Sequence, residues 1–367
     1  MKYELEFAKT RVVRVPIFTA WIVTALCCLM ACSRTHREDY VRYDTFPEEI
    51  ALTGEAIPLD TALFRYPFRI AIRDSVALIL DLHNADHYLH AFTWPAGKHI
   101  VSFARRGEGP DELLSAETLQ FVSLDSIWVL DANKMELSRW QVAPGERTAR
   151  RRETISPDQS LIRSLDFRVT DTGIILPDYS GEYRYHVTDW RGKPFRSTGH
   201  IPSQKAAGSI APIALAQAWR SFMDYRPQND LLVMATQLGE VLELYHLNDS
   251  AHTVISGLHG EPEFQVREGQ AIPTGLMGFS DVHITDRYIY AVFHGRTFKD
   301  IQQAYQQGRT PESGGRFIYV FDMNGHPVRK YTLDHAVYGI WIDEPNRTIV
   351  ATDVNNDEPI IQFKIKS

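Results

Sequence analysis

The stretch that decides the fold is DSIWVLD, residues 125–131. It places Ile, Trp, Val and Leu, which favour β-strands, between two aspartates, which favour turns. Close copies are DSVALILD at residues 74–81 and DTGIILPD at residues 171–178. Weaker copies follow further along the chain, beginning at Asn229, Asp286 and Asn346. Six copies with hardly any amphipathic helix between them predict an all-β protein built from six similar units.

The spacing of the copies predicts a six-bladed β-propeller. Successive copies lie about 45–60 residues apart, which is the period of a four-stranded blade. The last blade has only three strand-like runs, at residues 339–342, 348–352 and 360–364. We therefore expect residues 54–59 to pair with residues 360–364, complete the last blade and close the ring. A single β-sandwich is the alternative, but this chain would be unusually large for one.

Residues 1–31 have the features of a bacterial lipoprotein signal. Four basic residues within the first 14 positions precede an apolar run over residues 15–30, which ends in LMAC at residues 29–32. A transmembrane helix is the alternative, but 16 apolar residues are fewer than the roughly 20 that a spanning helix needs. We expect cleavage before Cys32 and lipidation of Cys32, because several acyl chains hold a protein on a membrane without spanning it.

Three regions follow from this interpretation. Residues 1–31 are the predicted signal peptide, residues 32–52 a polar lipidated tether, and residues 53–367 the propeller domain. Residues 33–40 at the start of the tether are predicted not to fold by themselves because they have too few apolar residues. The anchor predicts a location in the cell envelope, at the outer membrane.

Charge and cysteine content exclude several classes of protein. Removal of residues 1–31 takes away four of the 39 basic and two of the 46 acidic residues, which leaves a net charge near −9. Nucleic acid is therefore not an expected partner, since its binding depends on excess Lys and Arg. The three cysteines are Cys27, Cys28 and Cys32, so the mature chain keeps only the lipidated one. Disulfides and thiolate metal sites are thus not expected, and we predict no cofactor.

Several motifs resemble a known family. The run FRYPFRI at residues 64–70, the strand that follows it, and FARRGEGPDE at residues 103–112 resemble the TolB-like six-bladed propeller lipoproteins of Bacteroidetes. Those proteins carry a Gly-x-Gly-Pro-x-Glu element after the first blade, and residues 107–112 match it. The sequence HGR at residues 294–296 resembles a turn in their fifth blade. The resemblance implies the fold and an envelope location, whereas the function of the family is largely unassigned.

The candidate site residues lie in turns that a propeller would bring to one face near its channel. They are Arg105, Arg106, Glu112, Arg296, His83, Asp86 and His87. Paired arginines in an acidic protein indicate an anionic ligand, because guanidinium matches carboxylate or phosphate in bidentate geometry. A short helix predicted over residues 298–305 would cap the same face.

Other interpretations of these residues stay open. The arginines would instead brace their loop, and the glycines of residues 107–110 would supply backbone angles closed to other residues. A phosphate cradle is disfavoured because no Gly-Lys-Ser/Thr follows. His83, Asp86 and His87 offer ligands for zinc, although polar turns often collect such residues without metal. We predict no metal site there.

The predicted function is that of a lipid-anchored envelope propeller acting as a binding or scaffolding module, for a protein or a small anionic ligand. The alternative is a metal-dependent hydrolase or lactonase. Such an enzyme could draw metal ligands from Asp166, Asp281 or residues 353–356, although no nucleophile motif occurs in the sequence.

The anchor gives the first testable prediction. Replacing the lipidated residue, Cys32→Ala, should abolish labelling with a radioactive fatty acid and release the chain from the membrane fraction, because no other acyl attachment site is expected. A neighbouring change, Ser33→Ala, should leave both unchanged. Membrane retention of the Cys32→Ala chain would contradict lipid anchoring.

Overall fold

The computed structural model describes residues 38–60, 64–161, 164–204, 210–248 and 251–365. The predicted signal peptide and Cys32 lie outside these residues. Within the described ranges, no helix is both long enough and apolar enough to cross a membrane.

The described chain folds into six blades, each a sheet of four or five strands. The N-terminal strands are β1 (Glu38–Arg42), β2 (Glu48–Leu52) and β3 (Gly54–Ala56). Blades one and two contain β4 (Pro67–Arg73), β5 (Val76–Asp81), β6 (His87–Thr93), β7 (His99–Arg105), β8 (Ala116–Ser123), β9 (Ser126–Asp131), β10 (Glu136–Ala143) and β11 (Thr148–Ile155).

Blades three and four contain β12 (Arg168–Val169), β13 (Ile174–Pro177), β14 (Tyr185–Thr188), β15 (Pro194–Thr198), helix α1 (Pro212–Ala218), β16 (Ser221–Arg226), β17 (Leu231–Thr236), β18 (Val241–His246) and β19 (Ala251–Ser256). A hairpin of β20 (Phe264–Arg267) and β21 (Gln270–Pro273) follows. Blades five and six contain β22 (Phe279–Ile284), β23 (Tyr288–Phe293), helix α2 (Phe298–Gln306), β24 (Gly315–Asp322), β25 (Pro327–Val337), β26 (Ile340–Asp343), β27 (Thr348–Thr352) and β28 (Ile360–Lys364).

The predicted repeat forms the second strand of its blade. All six residues of β5 are buried, and so are five of the six in β9. Blades one and two share an apolar core, in which Leu78 and Leu80 lie with Phe121 and Val129. Strands buried on both faces read as continuous apolar runs, which explains why these copies are the most visible in the sequence.

In blades one and two, the aspartate that ends the repeat ties the blade to the segment of chain that enters it. Asp131 is fully buried; its Oδ2 accepts a hydrogen bond from the Leu114 backbone N–H (2.6 Å), and its Oδ1 accepts from Asn133 and Lys134 (3.0 Å each). Asp81 does the same in blade one. Buried carboxylates with backbone donors form strong hydrogen bonds, so the motif joins a strand to two turns.

The ring closes as predicted. Strand β3 pairs antiparallel with β28, with Ala56 opposite Ile361 and Gly54 opposite Phe363. A Cβ at Gly54 would lie 2.4 Å from Ile361 Cγ2, so the closing strand needs glycine for its close approach.

Residues 38–52 differ from the predicted tether. Strand β1 pairs in parallel with β19 of blade four, and β2 pairs in parallel with β25 of blade five. Together β1, β2 and β3 form an N-terminal strap, residues 38–56, along the outer edges of three successive blades. The composition argument misses this because the strap folds on existing sheet edges and needs no core of its own.

Tyr43 fixes the strap between β1 and β2. Its side chain is 5% exposed, and its ring lies 5.3 Å from those of Phe46 and Phe321. The hydroxyl donates to Glu240 Oε1 at 2.9 Å. Burial and the nearby Glu240 raise the pKa of Tyr43, so the hydroxyl stays protonated and keeps donating.

A matched pair of tyrosine substitutions tests the strap. Tyr43→Ala should lower the free energy of unfolding by about 3–5 kcal/mol, the usual cost of removing a buried aromatic ring. Tyr40→Ala, at a residue that is 52% exposed, should cost less than about 1 kcal/mol. Denaturant unfolding of the full-length chain measures both, and equal costs would show that the strap is not anchored at Tyr43.

Candidate ligand site at the channel mouth

Buried charges close the channel that the inner strands surround. Arg168 Nη1 lies 2.8 Å from Asp166 Oδ1, and Arg168 Nε lies 3.2 Å from Asp224 Oδ1. Arg69 Nε lies 3.6 Å from Asp281 Oδ1. We call these five residues the channel plug; each side chain is at most 20% exposed.

The carboxylates of the plug also connect neighbouring blades. Asp166 Oδ2 accepts from the Met223 backbone N–H at 2.8 Å, which joins blade three to blade four. Asp224 Oδ2 accepts in the same way from Ile284 at 2.7 Å.

Asp281 Oδ2 continues the series by accepting from Ile340 at 2.8 Å, which joins blades five and six. Burial raises the pKa of Asp281, while Arg69 and this hydrogen bond oppose the rise. Asp166 and Asp281, named from the sequence as possible metal ligands, therefore have structural partners.

The plug lies between two cavities. The top cavity, about 430 Å³, opens where the inner strands begin, on the face that carries the turns after the second strands. The bottom cavity, about 920 Å³, lies at the opposite ends of the inner strands. The lining of the top cavity is mostly aromatic and amide and includes Phe68, Phe222, Phe279, Phe298, Tyr338 and Gln237.

Aromatic rings form the floor of the top cavity. The Arg69 guanidinium carbon lies 3.9 Å from the Phe68 ring centroid and 4.6 Å from that of Phe222, both within cation–π range. The Tyr338 ring is 5.3 Å from that of Phe68. The channel plug is therefore in direct contact with the floor of the top cavity, through Arg69.

Three insertions between strands form the walls. Helix α1 and the β20–β21 hairpin are joined by Gln217, whose Nε2 donates to Gln270 Oε1 at 2.6 Å and whose Oε1 accepts from the Ala271 N–H at 3.0 Å. Helix α2 contributes Phe298 and begins with a capping box between Thr297 and Asp300. The predicted helix over residues 298–305 is thereby confirmed.

The top cavity has one charged side chain among its described lining residues, that of Arg220. His294 also lines it, but burial, and to a lesser extent Arg296, lowers the pKa of His294 to about 4. The imidazole is therefore neutral at pH 7, and Arg220 supplies the positive charge.

Comparison with models of protein families identifies the family to which this chain belongs. A family model described as a TolB-like six-bladed propeller matches residues 45–345. The chain belongs to the TolB-like propeller family. The resemblance noted from residues 64–70 and 103–112 is confirmed.

Two solved structures from Bacteroides resemble this TolB-like propeller. A Bacteroides fragilis protein named as exported is 14% identical with a TM-score of 0.50, over 90% of this chain and 99% of that one. A duf4221 family member from Bacteroides vulgatus is 12% identical with a TM-score of 0.52, over 87% and 98%. These likenesses show the fold alone. No curated protein matches the chain.

Two of the arginines predicted to bind a ligand brace loops of the TolB-like propeller. Arg106 Nε donates to the Asn84 carbonyl at 2.9 Å, and its guanidinium lies 4.1 Å from the Tyr88 ring centroid. Arg296 donates to the carbonyls of Glu312 (2.5 Å) and Gly314 (3.0 Å). Each of these two guanidinium groups donates two hydrogen bonds to backbone carbonyls within the chain.

The remaining candidates lie together on the top face of blade one, where His87 pairs with Arg105 between adjacent strands. Arg105 Nε is 3.4 Å from Glu112 Oε1, and the Arg105 side chain is 72% exposed. The His83 ring packs 4.7 Å from the Tyr66 ring, and the Asp86 carbonyl accepts from the Arg106 N–H at 2.8 Å. His87 begins β6.

None of the seven candidate residues lines the top or the bottom cavity. Within the described ranges, no three His, Cys, Asp or Glu side chains are placed to hold a metal ion. The sequence did not single out Arg220 or Phe222, because nothing in their local pattern separates them from ordinary blade residues.

The Gly-x-Gly-Pro-x-Glu element of the family is a loop folded around Glu112. Glu112 Oε2 accepts from the Gly109 N–H at 3.0 Å, and a Cβ at Gly107 would lie only 1.9 Å from Glu112 Oε2. Gly109 has an ordinary negative φ, so the prediction that both glycines supply special backbone angles is wrong for Gly109. Gly107 has a positive φ of 156° and also leaves space for the carboxylate, whereas at Gly109 space for the carboxylate is the explanation.

A double-mutant cycle tests this explanation. Gly107→Ala should destabilise the chain because its Cβ collides with the Glu112 carboxylate. In a Glu112→Ala background the same change should cost less, with a coupling of about 0.5–3 kcal/mol between the two sites. Denaturant unfolding of the four chains measures the coupling, and an equal cost of Gly107→Ala in both backgrounds would contradict the collision.

Proposed function

We propose that this TolB-like propeller is an exported, lipid-anchored protein of the cell envelope that binds a small ligand in its top cavity. The LMAC pattern at residues 29–32 supports the anchor. The name of the Bacteroides fragilis relative, an exported protein, agrees with this location. We further propose the outer membrane as the membrane to which Cys32 attaches.

The observation that carries the binding function is the construction of the top cavity. Its size lies in the range of small-molecule sites, and aromatic rings with a few polar groups line it, as in most such sites. The chain adds α1, the β20–β21 hairpin and α2 around this mouth, beyond the strands that the blades themselves need. Insertions on a rigid scaffold commonly carry binding residues.

The larger bottom cavity is less well supported as a ligand site. The charged residues at its inner end are those of the channel plug, which pair with one another and with backbone groups of adjacent blades. The presence of these charged residues is explained by their role in joining adjacent blades. For the hydrolase alternative, the described residues offer no specific observation in favour.

Filling the top cavity tests the proposed function. Isothermal titration of the full-length chain in detergent, against a detergent blank, uses naphthalen-2-ylmethanol as a neutral aromatic probe. Gln237→Trp should weaken its binding by about tenfold or more, because the indole occupies the space that the ligand needs. Gln237→Ala keeps the space open and should bind as the unmodified chain does.

Thermal melting distinguishes a folded chain with a filled cavity from a chain that fails to fold. Gln237→Trp should melt within a few degrees of the unmodified chain, since the new side chain enters open space. Unaltered probe affinity in a folded Gln237→Trp chain, or no binding to the unmodified chain, would contradict the top cavity as the ligand site.

A further inference from the structure

The guanidinium of Arg220 lacks the acceptors that other arginines of the channel have. Among the described residues, its side chain makes no hydrogen bond and has no carboxylate within ion-pair distance, and Arg220 Nε is buried without a partner. Its one described contact is with the Tyr179 ring, whose centroid is 5.5 Å from the guanidinium carbon. Buried donors are nearly always paired in folded proteins, so this one requires an acceptor that the described chain does not supply.

The contrast with nearby arginines is sharp. Arg69 donates to the Ser280 carbonyl and pairs with Asp281, Arg168 donates to Asp166, and Arg296 donates to two carbonyls on the top face. Arg184, fully buried between blades three and four, donates to Glu243 and Ser221, although its Nη1 has no partner among the described residues. Arg220 alone among these five lines the top cavity, so its side chain borders the space where a ligand would lie.

A second unpaired donor lies beside Arg220. The Tyr179 hydroxyl is buried and has no hydrogen-bond partner among the described residues. Burial, with a contribution from Asp166, raises the pKa of Tyr179, so the hydroxyl remains a donor at neutral pH. Tyr179 is not among the described lining residues of the top cavity, so Arg220 is the donor that borders the ligand space. With no acidic residue in that lining, the charge of Arg220 favours an anionic acceptor.

We infer that the top cavity selects a ligand with one carboxylate on an aromatic or aliphatic body, and that Arg220 binds the carboxylate. This inference rests on the proposed function of the same cavity. One guanidinium balances one negative charge, whereas a phosphate dianion would need a second cation that the described lining lacks. The body of the ligand lies against Phe222, Phe279 and Phe298, where aromatic contacts add to burial.

A pair of probes that differ in charge tests the inference. The probes are 2-naphthoate and naphthalen-2-ylmethanol, titrated into the full-length chain in detergent. Arg220→Met should weaken 2-naphthoate by about tenfold or more, the effect of losing hydrogen bonds to a charged group. The neutral alcohol should change less than about twofold, because it needs no cation. Arg220→Lys should keep part of the carboxylate affinity.

Arg105→Met is the matched control, since Arg105 is on the same face but outside the cavity. It should leave the affinity for both probes unchanged. A measurement without any variant supports the set: added salt should weaken 2-naphthoate and spare the alcohol, because only the first contact involves two charges. This salt test still applies if Arg220→Met fails to fold.

The outcomes distinguish the inference from the function on which it rests. Binding of the alcohol with no loss of 2-naphthoate in Arg220→Met would overturn the role of Arg220 and leave the cavity as a neutral site. Equal loss of both probes in a folded Arg220→Met chain would make Arg220 a structural residue and also overturn the inference. Absence of binding of either probe to the unmodified chain would overturn the proposed function itself.

Discussion

The arrangement on which the ring depends is the burial of carboxylates beside the channel. Asp166, Asp224 and Asp281 each accept a backbone N–H from the next blade, so one side chain sets the position of one blade against another. Three carboxylates face only two guanidinium groups, those of Arg69 and Arg168, and the backbone N–H groups supply the remaining donors. A buried carboxylate without such partners would be strongly destabilising, so the blades are held in the one arrangement that satisfies all three. The floor of the top cavity rests on the same groups.

The fold was predictable because its signals are local. Each copy of the repeat contains its own strand, and the three clearest copies also contain a closing aspartate. Asp131 shows what that residue does in blade two, where three backbone N–H groups from two turns bind it. Ring closure followed from counting strands in the last blade. Strands β1 and β2 were not predictable, because a strand that adds to an existing edge needs little apolar sequence and takes its order from its neighbour. Tyr43, buried between them, looks like any other tyrosine in the sequence.

The candidate site was less predictable than the fold, for a reason that applies to arginines generally. Arg106 and Arg296 stand in conspicuous motifs, yet their donors bind carbonyls of nearby turns. Arg220 stands in no motif and differs from them only in what surrounds it. Whether a guanidinium has an acceptor depends on residues brought together from several blades, and no local pattern reports that. Helix α2 was the exception, because a 3.6-residue period is visible within a single segment.

The strap has a mechanical consequence. Strand β1 pairs in parallel with β19 from Glu38 opposite His252 to Arg42 opposite Ser256, so a pull along the axis of β1 strains all of these pairings at once. Tyr43, which follows β1 directly, adds a hydrogen bond from its side chain to Glu240. Strand β2 makes the same kind of parallel pairing with β25 on the next blade. Tension applied before Glu38 therefore falls on the β1–β19 pairing of blade four, and it reaches β2, β3 and β4 only after that pairing has separated.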